Sequence, residues 1–279
     1  MDECLEARRI LVTGGSLGIG LEVSRELARR GARMIVAARG AEAIAAAIES
    51  LEGSGHEGIS IDVSDAPSWE DAALRIDAGG ALHGLVTAAG ILGPIGALEQ
   101  LPVADLMQTI AINLVGTMLA LRFALPRLRA ADGRAVTFSG GGGTSPLPRY
   151  DAYATSKAAV VRLTENVAAE GEVEVNAVAP GFVATRMHEE TLRAGAQAAG
   201  ERYYERTQEQ VSEGGFPATE AAELVAFLLS PESQGITGRL ISAQWDPWRE
   251  TAFRARLRED SDLAKLRRID DQFFTRVPR

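Results

Sequence analysis

Residues 9–20 read "RILVTGGSLGIG". Ile10, Leu11 and Val12 form an apolar run without polar alternation, the pattern of a strand buried on both faces. The run enters a turn holding Gly14, Gly18 and Gly20, and an amphipathic, helix-length segment covers 18–30. Strand, glycine turn and helix in direct succession begin a βαβ unit. The alternation continues through "ARMIVAA" (32–38), "GISIDV" (58–63), "LHGLVTAAG" (82–90), "GRAVTFSG" (133–140) and "VEVNAVAPG" (173–181), with helix-length segments such as 103–129 between them. The expected fold class is α/β, a doubly wound parallel sheet in a single domain. Such sheets take ligands at the carboxyl ends of their strands, so the strand ends are where function is to be sought.

The 279 residues suit one α/β unit, and a chain 46% hydrophobic and 5% aromatic suits helices packed closely on a sheet. A net charge of -9 argues against a nucleic-acid surface. The single cysteine, Cys4, excludes an internal disulfide framework and fits a reducing compartment. The N-terminus "MDECLEARR" lacks a signal-peptide pattern, and no run approaches the ~20 apolar residues of a spanning helix. The expectation is a soluble, cytoplasmic protein with no membrane partner.

Gly14, Gly18 and Gly20 permit a tight turn, a close backbone approach to a pyrophosphate, and close packing of the following helix. That helix presents free N–H groups and its positive dipole end to the phosphates. In "YDAYATSK" (150–157), Tyr153 and Lys157 stand at i and i+4 and share a helix face. An ammonium beside a phenol favours the phenolate and draws its pKa from ~10 towards the working range. Tyr150 has no such partner, because position 154 is alanine.

The spacing Thr-Gly-x-x-x-Gly-x-Gly with Tyr-x-x-x-Lys resembles the short-chain dehydrogenases/reductases, with motifs in order from residue 8 to about 243. The resemblance implies a Rossmann-like fold and an NAD(P)-dependent oxidoreductase that moves hydride between nicotinamide and a ketone or secondary alcohol. By the same resemblance Tyr153 exchanges the proton, Lys157 also holds the nicotinamide ribose, and Asn113 in "INLVG" supports a water relay behind the lysine. Cofactor contacts are then expected from Gly14, Ser16, Leu17, Gly18, Ile19 and Gly20, from Asp62 and Val63 at the adenine, and from Ala89 and Gly90. Pro180, Gly181, Val183 and Thr185 follow by the nicotinamide.

Two positions depart from the family pattern. Gly140 stands thirteen residues before Tyr153, where the family has serine; Ser139 is expected in that role through a one-residue bulge, with Thr144 and Ser145 as alternatives. Ala88 replaces an asparagine that ties neighbouring strands together. At the end of the second strand, Ala38 and Arg39 remove an acidic repulsion and offer a guanidinium to a 2'-phosphate, so NADP(H) is favoured over NAD(H). Leu17 adds nothing basic.

The expected division is a catalytic domain over 1–248 and a C-terminal extension over 249–279. Residues 183–216 should form a helical substrate lid. Its glutamates, Glu201 and Glu205 among them, would suit a cationic substrate if they face the cleft and an ordinary solvated face if they do not. Tyr203 and Tyr204 are candidates for stacking on a ring; Trp245 and Trp248 for packing or for capping the cleft. His56, His83 and His188 show no metal-ligand spacing, and no metal is expected. The substrate expected is the ketone or alcohol of a small polar ring compound, sugar- or aminocyclitol-like, of the kind met in secondary metabolism. The alternatives are a β-ketoacyl-carrier reductase, docking through Arg122, Arg127 and Arg129, and a non-catalytic cofactor sensor. A homodimer or homotetramer is expected.

Overall fold

The apolar runs form one parallel sheet in a computed structural model that describes residues 5–267. Its strands are β1 (Arg9–Thr13), β2 (Arg33–Ala38), β3 (Glu57–Ser60), β4 (Gly84–Thr87), β5 (Arg134–Phe138), β6 (Glu174–Ala179) and β7 (Leu240–Ser242). Their order is β3-β2-β1-β4-β5-β6-β7. The chain winds outward from β1 and then crosses back to β4, so the switch point lies between these two central strands. Thr13 is level with Thr87, and both strands stop there to open a crevice.

Ten α-helices flank the sheet among the described residues: α1 (Gly18–Arg29), α2 (Ala41–Glu49), α3 (Ala66–Ala78), α4 (Val103–Ile110), α5 (Gly116–Ala130), α6 (Asp151–Ala169), α7 (Arg186–Ala199), α8 (Glu201–Ser212), α9 (Ala218–Leu229) and α10 (Thr251–Glu259). Side chains alternate along each strand, so the sheet feeds two cores. On one face Val12, Val36 and Val178 meet Leu27 of α1 and Leu224 and Phe227 of α9. On the other, Leu11, Leu85 and Val175 meet Trp69 of α3 and Leu121 and Leu128 of α5.

The elements depart from the sequence expectations in three places. β3 and β4 are shorter than their apolar runs: after Ser60 and Thr87 the chain peels off, with Ile61 N–H bonded to Ala38 O and Ala88 N–H to Thr13 O. The segment expected as one helix over 103–129 is broken by a π turn at Ala111–Val115, the kind of local insertion that recurs at functional sites. The 28-residue stretch Val103–Ala130 is apolar enough to cross a membrane by length and composition, but Ile112, Ala120, Leu121, Ala124 and Leu128 are spent in the second core. The short β7 lies in "GRLISAQWDPW", where the sequence shows no extended apolar run.

The described part of the tail is built into the body. Leu257 of α10 is fully buried in the first core, and the Arg254 guanidinium lies 3.9 Å from the Phe227 ring centroid. Trp248 packs in that core on Phe227 (centroids 6.0 Å apart), whereas Trp245 is 74% exposed. Cys4 and residues 268–279 lie outside the described residues. Leu257→Ala is expected to lower the unfolding free energy by ~2–5 kcal/mol, the usual cost of emptying a buried leucine site. Trp245→Ala should stay within about 0.5 kcal/mol; urea denaturation of both variants checks the contrast.

Candidate active site

The turn after β1 is made by backbone that side chains would obstruct. Gly14 has φ 68°, and a Cβ there would stand 2.7 Å from Ala89 N; a Cβ on Gly20 would stand 2.2 Å from Gly14 O. Gly18 has φ 56° and faces open space, while Ser16 is buried and Leu17 exposed. Leu17 occupies the N-cap of α1 and offers no side-chain acceptor, so the first N–H groups of α1 are left for an external anion. A dinucleotide pyrophosphate fits this cradle, with Gly14, Ser16, Leu17, Gly18, Ile19 and Gly20 around it.

The other expected cofactor residues gather at the same strand ends. Arg39 is exposed just beyond β2. Asp62 accepts from the Ser64 hydroxyl (2.6 Å) and N–H (2.9 Å); these bonds, helped by the Arg39 charge, hold its carboxyl below the ordinary range. Val63 is buried, and its carbonyl takes the Trp69 indole N–H (2.9 Å). Ala89 N–H points to Thr13 Oγ1 (3.4 Å), and Gly90 lies against Asn113 and Lys157, where a Cβ would stand 3.2 Å from Asn113 Oδ1 and 3.7 Å from Lys157 Nζ. Beyond β6, Pro180 and Val183 are buried, and Gly181 (φ 82°) turns the chain beside Gln244 and Phe216. Thr185 caps α7 reciprocally with His188, whose ring lies on Phe182 with centroids 3.8 Å apart. Burial pushes the His188 imidazole down to about 4.

Asn113 sits on the π turn with no exposed surface. Its Oδ1 accepts from Ile91 N–H (2.8 Å), and its Nδ2 donates to Ile91 O (2.9 Å) and Ser156 Oγ (3.1 Å). Ser156 in turn donates to Tyr153 O (2.7 Å). Lys157 is buried on α6, donates to Phe138 O (3.1 Å), and lies 5.7 Å from the Tyr153 ring centroid.

The electrostatic expectation for Tyr153 is reversed in the polypeptide. Burial, with the Tyr203 phenol nearby, pushes the Tyr153 pKa above its ordinary value, and burial draws Lys157 down to about 8. Desolvation is the larger effect on the phenol here.

The place beside the phenol belongs to Gly140, since a Cβ there would stand 2.5 Å from Tyr153 Oη. Ser139 does not take that place: it is buried, and a Cβ on Gly143 would stand 2.3 Å from its Oγ. Thr144 and Ser145 are exposed. Among the described residues no hydrogen bond joins the Ser139, Thr144 or Ser145 hydroxyl to Tyr153, and the Ser139 N–H keeps its strand-end bond to Val178 O (2.9 Å).

Around Tyr153 the sequence reading missed an apolar cluster. Leu92, Tyr150 and Ala199 are buried in it, with Ile95, Met187 and Tyr203 packed against them. The isolated apolar residues of "ILGPIG" (91–96) were the available signal for Leu92 and Ile95. Glu201 and Glu205 are exposed on α8 and take no part in the cluster around Tyr153. Arg127 pairs with Asp77 (2.6 Å) and Arg129 with Glu172 at the end of α5 that leads into β5, at the amino ends of the strands, whereas Tyr153 stands at their carboxyl ends. Among the described residues no cluster of His, Cys, Asp and Glu could hold a metal.

Lys157 has a pH signature. Its folded pKa of about 8 lies below the ordinary 10.5, so the unfolded chain binds more protons across that window, and this group's contribution to stability rises as pH climbs from about 8 to 10.5. Urea unfolding at pH 7 and pH 10 is expected to show wild type gaining on Lys157→Met at the higher pH.

Comparison with known proteins accords with this geometry. Residues 8–195 match the family model described as short chain dehydrogenase. The chain is 34% identical over 247 residues to 2-(S)-hydroxypropyl-CoM dehydrogenase 3 of Xanthobacter autotrophicus, covering 85% of this chain and 95% of that one. It is 34% identical over 251 residues to cis-4-hydroxycyclohexanecarboxylate dehydrogenase of Sinomonas cyclohexanicum, covering 87% and 97%. An actinorhodin polyketide ketoreductase variant solved with NADPH superposes with a TM-score of 0.75 at 27% identity, covering 85% of this chain and 95% of that one. With the glycine turn, Asn113, Tyr153 and Lys157 assembled at one crevice, the chain belongs to the short-chain dehydrogenase family of oxidoreductases.

Proposed function

We propose that this oxidoreductase transfers hydride between NADP(H) and the carbonyl or carbinol carbon of a small ring ketone or secondary alcohol bearing polar substituents. The observation that carries this reading is Tyr153 set between Gly140 and the apolar cluster of Leu92, Ile95, Met187 and Tyr203. A ring presented on edge places its apolar face on these side chains and its oxygen at the phenol. The hydroxycyclohexanecarboxylate in the name of the Sinomonas relative supports a ring of this size. An aminated ring is not singled out, because Glu201 and Glu205 are exposed and stand outside the cluster around Tyr153.

The nicotinamide supplies or accepts the hydride when bound. Tyr153 Oη gives its proton to the carbonyl oxygen during reduction and takes it back during oxidation. Lys157 holds positive charge below pH about 8 and favours the phenolate left behind. Asn113 acts as a positioning residue, fixing the strand exit at Ile91 and the helix at Ser156. Residues 183–216 serve as the lid, and Gly140 leaves room at the reacting oxygen for the substrate itself. Arg39 supports NADP(H), its exposed side chain standing at the β2 end within reach of a 2'-phosphate. The exposed Val103, Met107, Val115 and Met118 on the α4–α5 segment support a homodimer or homotetramer, and the lone cysteine supports a cytoplasmic setting.

Tyr153→Phe is expected to lower turnover by about 10²–10⁴-fold while leaving cofactor affinity within a few-fold, because only the transferable proton is removed. Equal turnover in the variant would return the protein to the non-catalytic reading. NADPH should bind more tightly than NADH, and Arg39→Ala should narrow the gap by about 1.5 kcal/mol, roughly tenfold, in calorimetric titrations.

A further inference from the structure

The lid helices need a fixed resting place. α7 and α8 pack on each other, but Gly195 (φ 78°) interrupts α7 and Gly200 (φ 84°) separates the two, and a Cβ at either glycine would meet nothing within 4 Å. Backbone of this kind sets no angle by itself. The tie to the body runs through Tyr150, a residue the reaction does not use.

Tyr150 has no exposed surface. Its ring meets Tyr203 of α8 edge-on, with centroids 5.0 Å apart. Its hydroxyl donates to Thr191 Oγ1 of α7 at 3.1 Å, and Thr191 Oγ1 reaches Met187 O at 3.5 Å. Met187 and Tyr203 are lid side chains in the apolar cluster that holds Tyr153. Tyr150 is also the residue that opens α6, its carbonyl accepting from Ala154 N–H (2.9 Å). One side chain therefore touches both lid helices while its backbone starts the helix that carries Tyr153 and Lys157. A buried phenol needs a partner for its hydroxyl, and burial pushes this one up to about 12, so it remains a neutral donor.

We propose that Tyr150 is a positioning residue: through Thr191 and Tyr203 it holds the lid at one distance from Tyr153 and thereby limits the size of substrate that fits beneath it. The proposal rests on the reading of Tyr153 as the acid–base group, but the position of the lid can be measured without turnover.

The test uses the full-length chain as Tyr150→Phe, Thr191→Val, the double variant and Thr191→Ser. Hydrogen–deuterium exchange is followed over residues 186–212, with cofactor affinity and steady-state kinetics on the ketone that wild type reduces best. Tyr150→Phe and Thr191→Val are each expected to speed exchange in the lid by about three- to tenfold, the yield of one buried hydrogen bond, and to raise KM similarly with kcat within about twofold. The double variant should be no worse than either single one, because both remove the same bond. Thr191→Ser keeps the hydroxyl and should behave as wild type. Unchanged lid exchange in Thr191→Val would overturn the proposal, and so would exchange that rises equally across the sheet, which marks a packing residue only. A wild type that reduces no ketone would count against the acid–base reading of Tyr153, while lid exchange in the same variants would still support or overturn the role of Tyr150.

Discussion

The carboxamide of Asn113 is where the parts of the site are joined. A buried amide with no access to water has to find its partners within the protein, and Asn113 finds them on two different segments. Both polar backbone groups of Ile91 are engaged, which sets the path of the chain as it leaves β4. The third bond reaches Ser156, which turns to the carbonyl of Tyr153. The π turn is what gives this side chain its reach, since the extra residue per turn re-aims it from a helix that otherwise runs straight into the second core. Gly90 completes the arrangement, because a side chain there would crowd both the amide and the Lys157 ammonium.

The frame of the molecule was legible because its signals are local. Buried parallel strands read as unbroken apolar runs, and the glycines at 14 and 20 are required by contacts with backbone only a few residues or one strand away. Tyr153 and Lys157 were legible for the same reason, as helical spacing alone puts them on one face. β7 was missed because three residues at an edge carry little pattern.

What the sequence reading misjudged depends on burial and on distant neighbours. The sign of the Tyr153 shift follows from how much water is excluded around the phenol, and spacing says nothing about that. Counting from the tyrosine points to Gly140, and the serine role was expected of Ser139 only through a bulge; the neighbour of the phenol is Gly140 itself, decided by how the glycine loop leaves β5. The glutamates of α8 illustrate the same limit: composition made them conspicuous, but their exposure was decided by which face of α8 the tyrosines claimed.

The way the chain finishes bears on how copies of the protein can meet. The outer edge of β7 has two N–H groups turned away from β6, and both are taken within the chain: Leu240 by the carbonyl of Ala264, Ser242 by the carboxylate of Asp246. An edge strand with its donors already satisfied offers no template to a strand from another molecule. Growth of the sheet across this border is closed off, so any neighbour on this side has to be met by side chains and helices. The same closure guards this border against edge-to-edge pairing.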